Sequence, residues 1–200
     1  MDRHNELKQW KDALGDYSDS ALKKAAQALS RLTGETVTVE NVSIKIINPD
    51  EAFRTIQGEA ESLTVIRHAI DGKIAGNILL LISTDQTDVL IGHVMKQGAL
   101  GCVDDEVRDS VLGELGNVVS SSYITVIGDS FSILLLPTVP ETLSVQGPDD
   151  IETLLGEGEH AYNYALMLAN DFFVGDDRVR IYFLFLISRG SGELFSGEFS

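Results

Sequence analysis

A single cysteine, Cys102, stands among the 200 residues. An intrachain disulfide is therefore excluded, and the chain has no cysteine cluster of the kind that binds zinc. Histidines are also few, and no two of them lie at metal-ligand spacing. We therefore expect no cofactor or metal bound by this chain, and structural or surface roles for its four histidines, which are His4, His68, His93 and His160.

Positive charge is scarce, with 15 Lys and Arg residues against 31 Asp and Glu residues and a net charge of −16. Such a chain repels the phosphate backbone of nucleic acid and the surface of anionic membranes, so neither is expected as a partner. An acidic surface is also typical of proteins that work in concentrated salt, where salt screens the self-repulsion. The composition thus favours a halophilic origin, with an ordinary acidic bacterial protein as the alternative.

Long apolar runs are absent as well. The longest, residues 78–82 and 181–187, are much shorter than the ~20 residues that a membrane-spanning helix needs. The first residues are polar and lack the apolar run of a secretory signal. A cytoplasmic location is therefore expected.

Hydrophobic periodicity and turn residues predict the order of helices and strands. In the first half, the predicted elements are a helix closed by Gly34, strand structure over 35–47 that Pro49 ends, a strand or turn over 52–58, a hairpin turning at Asp71-Gly72 and a helix capped by Thr84. In the second half, they are a long helix from about residue 104 to 131, a strand over 132–136, a short helix over 149–155 and a hairpin turning at 175–177.

The two halves of the chain repeat this order, the second one incompletely. Residues 79–83 and 184–188 close the two hairpins with similar apolar sequences ending in serine. We therefore predict one α/β (α+β) domain over residues 1–200, internally duplicated, with halves at about 10–98 and 104–188 and a flexible tail over 189–200. Two long pseudo-equivalent helices would pack on a mostly antiparallel sheet in two layers.

The long helix of the second half carries an unusual polar stripe. At about 100° per residue, Ser110, Glu114, Asn117 and Ser121 fall on one face. A parallel apolar stripe would face a core, and it consists of Val111, Leu115, Val118, Ser122 and Val126. Gly113 and Gly116 are costly in a helix, so we expect another part of the molecule or a partner to approach them closely.

A longer pattern extends from this helix into the chain that follows it. Ser110 is followed by Glu114 after three residues, Asn117 after two more and Pro140 after a further 22. This spacing, with residues 121–123 and the Pro137-x-Val139-Pro140 segment, resembles the signature of the CheC/CheX/FliY family of chemotaxis phosphatases, and is closest to CheC.

The resemblance implies a fold, an activity and partners. The fold would be the CheC-like duplicated fold, and the activity hydrolysis of the aspartyl phosphate on a phosphorylated CheY-like receiver. Glu114 and Asn117 would be catalytic, with Ser110 and Pro140 in supporting roles. The Mg2+ ion would be supplied on the receiver, and the receptor deamidase CheD would be a possible second partner.

The first half departs from the family pattern. Aligning the halves sets Asp16 opposite Glu114, Asp19 opposite Asn117 and Val42 opposite the motif proline. A carboxylate in the position of Asn would face the negative phosphoryl group, so we predict that this degenerate first site is inactive.

Two other interpretations remain open. A non-catalytic CheC-like adaptor, related to the flagellar switch proteins, would bind a receiver or CheD without hydrolysis. A generic α/β binding domain with a chance motif is the third interpretation, since short motifs often match by chance.

Overall fold

The computed structural model describes residues 19–72, 75–97, 104–131, 134–147, 150, 154 and 162–188. Residues 150 and 154 are helical. The other helices and strands of the described residues are α1 (residues 19–33), β1 (Val37–Ile47), α2 (Pro49–Gln57), β2 (Leu63–Gly72), β3 (Gly76–Ser83), α3 (Thr84–Gln97), α4 (Asp105–Phe131), β4 (Leu135–Pro137), β5 (Glu141–Val145), β6 (Tyr162–Val174) and β7 (Asp177–Ser188).

The strands form one antiparallel sheet in the order β1-β6-β7-β3-β2-β4, and β5 also pairs with β2. Each hairpin takes its outer strand from the other half of the chain. Strand β1 precedes the β2–β3 hairpin but pairs with β6, whereas β4 and β5 precede the β6–β7 hairpin but pair with β2. This reciprocal exchange agrees with the predicted α+β fold built on a pseudo-twofold repeat.

The centre of the sheet shows where the approximate twofold axis passes. Leu79 of β3 is the direct partner of Leu184 of β7. These two residues begin the matching segments 79–83 and 184–188, so equivalent residues meet at the middle of the sheet, as a twofold arrangement requires. The division of the chain into halves near residues 98–104 stays a prediction.

Helices α1, α3 and α4 cover one face of the sheet over the larger apolar core. None of the helices within the described residues is both long and apolar enough to cross a bilayer. On α4, Leu115, Ser122 and Val126 of the predicted apolar stripe are buried, whereas Val111 and Val118 are half-buried. The buried face lies slightly to one side of that stripe because it also contains Leu112, Val119 and Tyr123.

Helix α2 covers the opposite face of the sheet over a second, smaller apolar core. The prediction of a strand or turn over residues 52–58 was therefore wrong. The Asn48 side chain accepts a hydrogen bond from the backbone N–H two residues on, and Pro49 occupies the first turn. Phe53 and Ile56 are buried, and this burial stabilises a helix that is too short to be stable alone.

Two predicted boundaries are shifted by one or two residues. Helix α3 is capped by Ser83, whose hydroxyl accepts a hydrogen bond of 3.3 Å from the Gln86 N–H, and Thr84 is the first helical residue. Asp71 and Gly72 pair with β4, so they belong to β2 and not to the predicted turn.

Two glycines confirm predicted chain reversals. Gly34, with φ of 66°, follows α1, and Gly175, with φ of 59°, turns the second hairpin. Both φ values lie in the left-handed region that favours glycine. The predictions for residues before 19, for most of 149–155 and for the tail over 189–200 lie outside the described residues.

Candidate functional site on helix α4

Helix α4 begins where its sequence predicts. Asp104 precedes the helix, and its carboxylate accepts a hydrogen bond of 2.9 Å from the backbone N–H of Val107. Asp105 and Glu106 in the first turn complement the helix dipole. The helix then continues without interruption to Phe131, so the whole polar stripe lies on one continuous helix.

All four members of the polar stripe are exposed, namely Ser110, Glu114, Asn117 and Ser121. At about 100° per residue, Glu114 and Asn117 lie roughly 60° apart around the helix axis and one turn apart along it. The two side chains therefore share one solvent-facing side of α4. A carboxylate that binds cations and a neutral carboxamide that accepts hydrogen bonds are presented there together.

Gly116 lies on the side of α4 that faces strand β2. A Cβ atom added there would come within 2.5 Å of Ile66 Cγ2 and 3.5 Å of His68 Nε2. The helix backbone therefore rests directly on the strand, so the neighbour expected from the glycines is the sheet. This contact sets the height of α4 above the sheet, and with it the positions of Glu114 and Asn117.

Pro140, the predicted supporting residue, packs beside the same helix. Its Cγ atom lies 3.9 Å from the position that a Cβ would take on Gly113, which lies beside the polar stripe. Pro140 also ends an irregular stretch of the sheet edge, where residues 138–140 face only residues 68–69 of β2. One strand therefore has an extra residue, which makes a β-bulge of the kind that redirects side chains beside functional sites.

Thr138 ties this bulge to β2 by three hydrogen bonds. Its N–H donates to the Ala69 carbonyl at 2.9 Å, its hydroxyl accepts from the Ala69 N–H at 3.0 Å, and its carbonyl accepts from His68 Nδ1 at 3.0 Å. Because a carbonyl oxygen only accepts, Nδ1 of His68 carries a proton. The buried Nε2 has no hydrogen-bond partner within the described part of the chain. The bulge is thus fixed to the strand on which α4 rests.

The degenerate first site lies only partly within the described residues. Asp19 is exposed at the start of the described part of α1, and Asp16 lies outside the described residues. Strand β1 also has an extra residue, between Asn41 and Ser43, so both outer strands of the sheet carry a bulge. The inactivity of this first site stays a prediction.

The site on α4 is suited to positioning the groups of a partner. It offers a carboxylate, a carboxamide and two hydroxyls on an exposed helix face. Among the residues that the structure describes, no three His, Cys, Asp or Glu side chains cluster so as to hold a metal ion. A carboxamide oxygen accepts hydrogen bonds and a carboxylate binds cations, so the stripe can position polar groups that a partner brings.

A second charged cluster surrounds His93 of α3, which is buried. Its Nδ1 lies 2.7 Å from Glu35 Oε1 and its Nε2 lies 2.8 Å from Asp177 Oδ2. Burial by itself lowers the pKa of His93, but the hydrogen bonds to the two carboxylates outweigh burial and the charge of Lys96, so the pKa is raised. The imidazolium connects α3 with the segment before β1 and with the β6–β7 turn.

We expect the free energy of unfolding to fall as the pH rises from about 6 to about 9, as urea unfolding would measure. A raised pKa means that folded His93 holds its proton more tightly than the unfolded residue. The stabilisation is therefore complete below the unfolded pKa of about 6.5 and is lost as the pH rises through the folded pKa. His93→Gln should flatten this dependence and cost about 2 kcal/mol at low pH. Equal wild-type stability at both ends of the range would contradict the argument.

Exposed apolar side chains at the sheet edge were not singled out from the sequence. Leu134, Leu136 and Val139 are 69%, 53% and 84% exposed. Val139 is the middle residue of the bulge. The sequence signal that marks it is its place between Pro137 and Pro140, because proline has no N–H for strand pairing and leaves its neighbours outside the regular ladder.

Comparison with known proteins places these features in context. No protein-family profile matches the chain. It is 25% identical over 157 residues, or 75% of its own length and 75% of the relative's, to the CheY-P phosphatase CheC of Bacillus subtilis strain 168.

Solved structures share the fold over most of the length of this chain. The crystal structure of FliY from Thermotoga maritima has a TM-score of 0.70, with 17% identity and coverage of 93% of each chain. The CheX–CheY–BeF3–Mg2+ complex from Borrelia burgdorferi has a TM-score of 0.50, with 16% identity over 87% of this chain and 99% of the matched one. At these identities the likeness establishes the fold, which agrees with the predicted α+β class.

Proposed function

Because this chain belongs to the CheC/CheX/FliY family, we propose that it acts in chemotaxis by removing the phosphoryl group from the aspartyl phosphate of a CheY-like receiver domain. Glu114 and Asn117 of α4 are the proposed catalytic residues. The observation that carries the proposal is their joint exposure, one turn apart, on a helix held against β2 at Gly116. The likeness to a CheY-P phosphatase and to a CheX–CheY complex supports the choice of substrate.

Asn117 is proposed to orient the attacking water. Hydrolysis of an acyl phosphate needs a water in line with the breaking bond to phosphorus. The carboxamide oxygen accepts a hydrogen bond from that water, and its neutrality avoids repulsion of the phosphoryl oxygens. Its exposure lets it enter the active site of a partner without any rearrangement of α4.

Glu114 is proposed to bind the active-site lysine of the receiver. A carboxylate beside a phosphoryl group is unfavourable unless it is paired with a cation, and a lysine ammonium provides that pair. The receiver also brings the phosphorylated carboxylate and the Mg2+ ion, so this chain contributes orientation and no metal. Ser110, one turn before Glu114 on the same exposed face, would steady the carboxylate.

Pro140 is proposed to act through the backbone. Its contact with the Gly113 side of α4 connects the bulge to the stripe without a polar group that reaches the substrate. Pro140 is thus a positioning residue. The first site, with Asp16 and Asp19, is proposed to be inactive because a carboxylate takes the place of the carboxamide.

The loss of phosphoryl label from the cognate receiver tests this proposal. Wild type should accelerate the decay, and Glu114→Ala and Asn117→Ala should abolish the acceleration. Asp19→Ala is the matched control, because Asp19 is also an exposed polar residue on a long helix of the same sheet face, and it should leave the acceleration intact.

The rival adaptor function predicts a different result. An adaptor would bind the phosphorylated receiver while leaving the label to decay at its intrinsic rate. Wild type that binds without acceleration would therefore replace the phosphatase proposal by the adaptor. CheD, the second partner implied by the family, is proposed to bind away from the polar stripe, so Asn117→Ala should leave CheD binding unchanged.

A further inference from the structure

We propose that Val139 and Pro140 form a docking surface, here named the bulge surface, for the receiver domain whose phosphate reaches Glu114 and Asn117. This inference rests on the proposed function, because it names how the partner of that same site is held. The bulge surface at the sheet edge provides affinity for the partner, and the polar stripe carries out the dephosphorylation.

Exposure of these apolar side chains is the first observation. Val139 is 84% exposed, whereas most other large apolar residues in the described part of the chain are buried in the two cores. Burying one such side chain against a partner removes apolar area from water and favours association. Apolar contacts at the centre of an interface commonly carry much of its affinity.

Rigidity is the second observation. An exposed apolar side chain on a mobile loop loses conformational entropy when it binds, whereas a fixed one does not. Thr138, which precedes Val139, is held to β2 by three hydrogen bonds. Pro140, which follows Val139, has its own φ fixed by the pyrrolidine ring. Val139 is therefore presented in a preorganised position.

Continuity with the polar stripe is the third observation. Pro140 packs beside Gly113, the residue immediately before Glu114, so the bulge surface adjoins the candidate site. A partner that places a phosphoryl group at Asn117 can therefore reach the bulge beside Pro140 as well. Strand β4 is an outer strand of the sheet and leaves this approach uncovered within the described residues.

Charge identifies the kind of partner and disfavours a second copy of this chain. Helix α4 carries five acidic residues and one basic residue, Arg108, which pairs with Asp88 at 2.5 Å. Arg67 beside the bulge is likewise paired, with Glu141 at 2.5 Å. The surroundings of the bulge surface are therefore acidic. They repel another chain of net charge −16 and favour a receiver surface that combines an apolar contact with lysine or arginine.

Binding of a labelled receiver tests the bulge surface apart from catalysis. The receiver is activated with BeF3− and Mg2+, the combination present in the CheX–CheY complex, and its Kd is measured with full-length wild type and variants. Val139→Ser should raise the Kd about tenfold. In turnover with phosphorylated receiver, Val139→Ser should raise KM by the same factor and leave kcat unchanged.

Leu134→Ser is the matched control. Leu134 is a comparable exposed apolar residue, 69% exposed, but it lies five residues before Val139, or about 17 Å along an extended chain. It should bind the receiver as wild type does. Both positions are exposed, so circular dichroism and urea unfolding should show an unchanged fold for each variant.

The outcomes separate this inference from the proposed function. Wild-type affinity in Val139→Ser, or no binding of the receiver by wild type, would overturn the bulge surface. Wild type that binds, is weakened by Val139→Ser and still fails to accelerate dephosphorylation would remove the phosphatase proposal and keep the bulge surface. Wild type that sediments as a dimer, with a monomeric Val139→Ser variant, would reassign the surface to self-association and overturn the choice of partner.

Discussion

Replacing Asn117 by Asp should lower the rate of receiver dephosphorylation about a thousandfold, although the new side chain has almost the same shape. A carboxylate at about 4 Å from a phosphoryl oxygen, in a site with an effective dielectric constant of about 20, meets a repulsion of about 4 kcal/mol. At about 1.4 kcal/mol for each factor of ten, this repulsion accounts for the loss. Single-turnover decay of the phosphorylated receiver at saturating enzyme measures the effect.

The control for added charge is Thr125→Asp on the same helix. Thr125 is exposed and lies eight residues after Asn117, about 12 Å further along the axis. That distance exceeds the screening length of about 8 Å at physiological salt, so the rate should change less than threefold. A similar loss in both variants would show that net charge weakens the encounter, and would contradict a specific role for the Asn117 carboxamide.

We expect the degenerate first site to contribute nothing to the rate of dephosphorylation. Reducing the charge in the degenerate site by Asp19→Asn should not raise the rate, because Asp19 lies on α1 and not on the stripe of α4. If Asp19→Asn increased dephosphorylation, the first site would be a functional one and the prediction of its inactivity would be wrong.

Local signals explain which parts of the fold were predictable from the sequence. The start of α4 was placed within one residue because Asp104 and the acidic first turn act on neighbouring backbone groups. The second hairpin was placed well for the same reason, since Gly175 lies in the two-residue turn between Val174 of β6 and Asp177 of β7. The exposure of Glu114 and Asn117 followed from helical spacing alone.

Helix α2 was missed although it also has a local start signal. Asn48, Pro49 and the acidic residues after them form a typical helix beginning, but Pro49 equally predicts the end of the strand before it. The segment is short, and its helical state depends on burying Phe53 and Ile56 against the far face of the sheet. Such tertiary stabilisation has no counterpart in a nine-residue window of sequence.

The bulge beside the site was not predictable from local sequence at all. It is defined by a register in which residues 138–140 face residues 68–69, some 70 positions away in the chain. Pro140 was recognised through the family resemblance, but the exposure of Val139 and the Thr138 hydrogen bonds depend on which strand becomes the neighbour. Cross-strand pairing of this range is set by the whole sheet.

Gly116→Val should lower the free energy of unfolding by about 3 kcal/mol, because it overpacks the contact between α4 and β2. The Cβ atom alone would stand 2.5 Å from Ile66 Cγ2, and a branched side chain adds further atoms to a contact that is already closed. Urea unfolding measures the loss. Gly113→Val is the control, because its Cβ meets only Pro140 Cγ at 3.9 Å, and it should cost less than about 1 kcal/mol.

A second-site change tests whether the loss arises from this one contact. Ile66→Ala alone should cost about 2–5 kcal/mol through the cavity it leaves. Combined with Gly116→Val, it removes the clashing Cγ2. The double variant should therefore lose at least about 1 kcal/mol less free energy of unfolding than the two single variants lose in sum. Additive losses would show that Gly116 is required for some reason other than close approach to β2.

The same substitution separates the two parts of the proposed site. In Gly116→Val the helix must move away from β2, while the bulge stays attached to that strand through Thr138. Glu114 and Asn117 then shift relative to Val139, so a receiver that docks on the bulge surface no longer places its phosphoryl group at the carboxamide. We therefore expect Gly116→Val, assayed well below its unfolding midpoint, to bind the BeF3−-activated receiver with little change in Kd but to lose most of its dephosphorylation rate. A variant that folds, binds and retains the full rate would show that the spacing between α4 and the sheet edge does not govern catalysis.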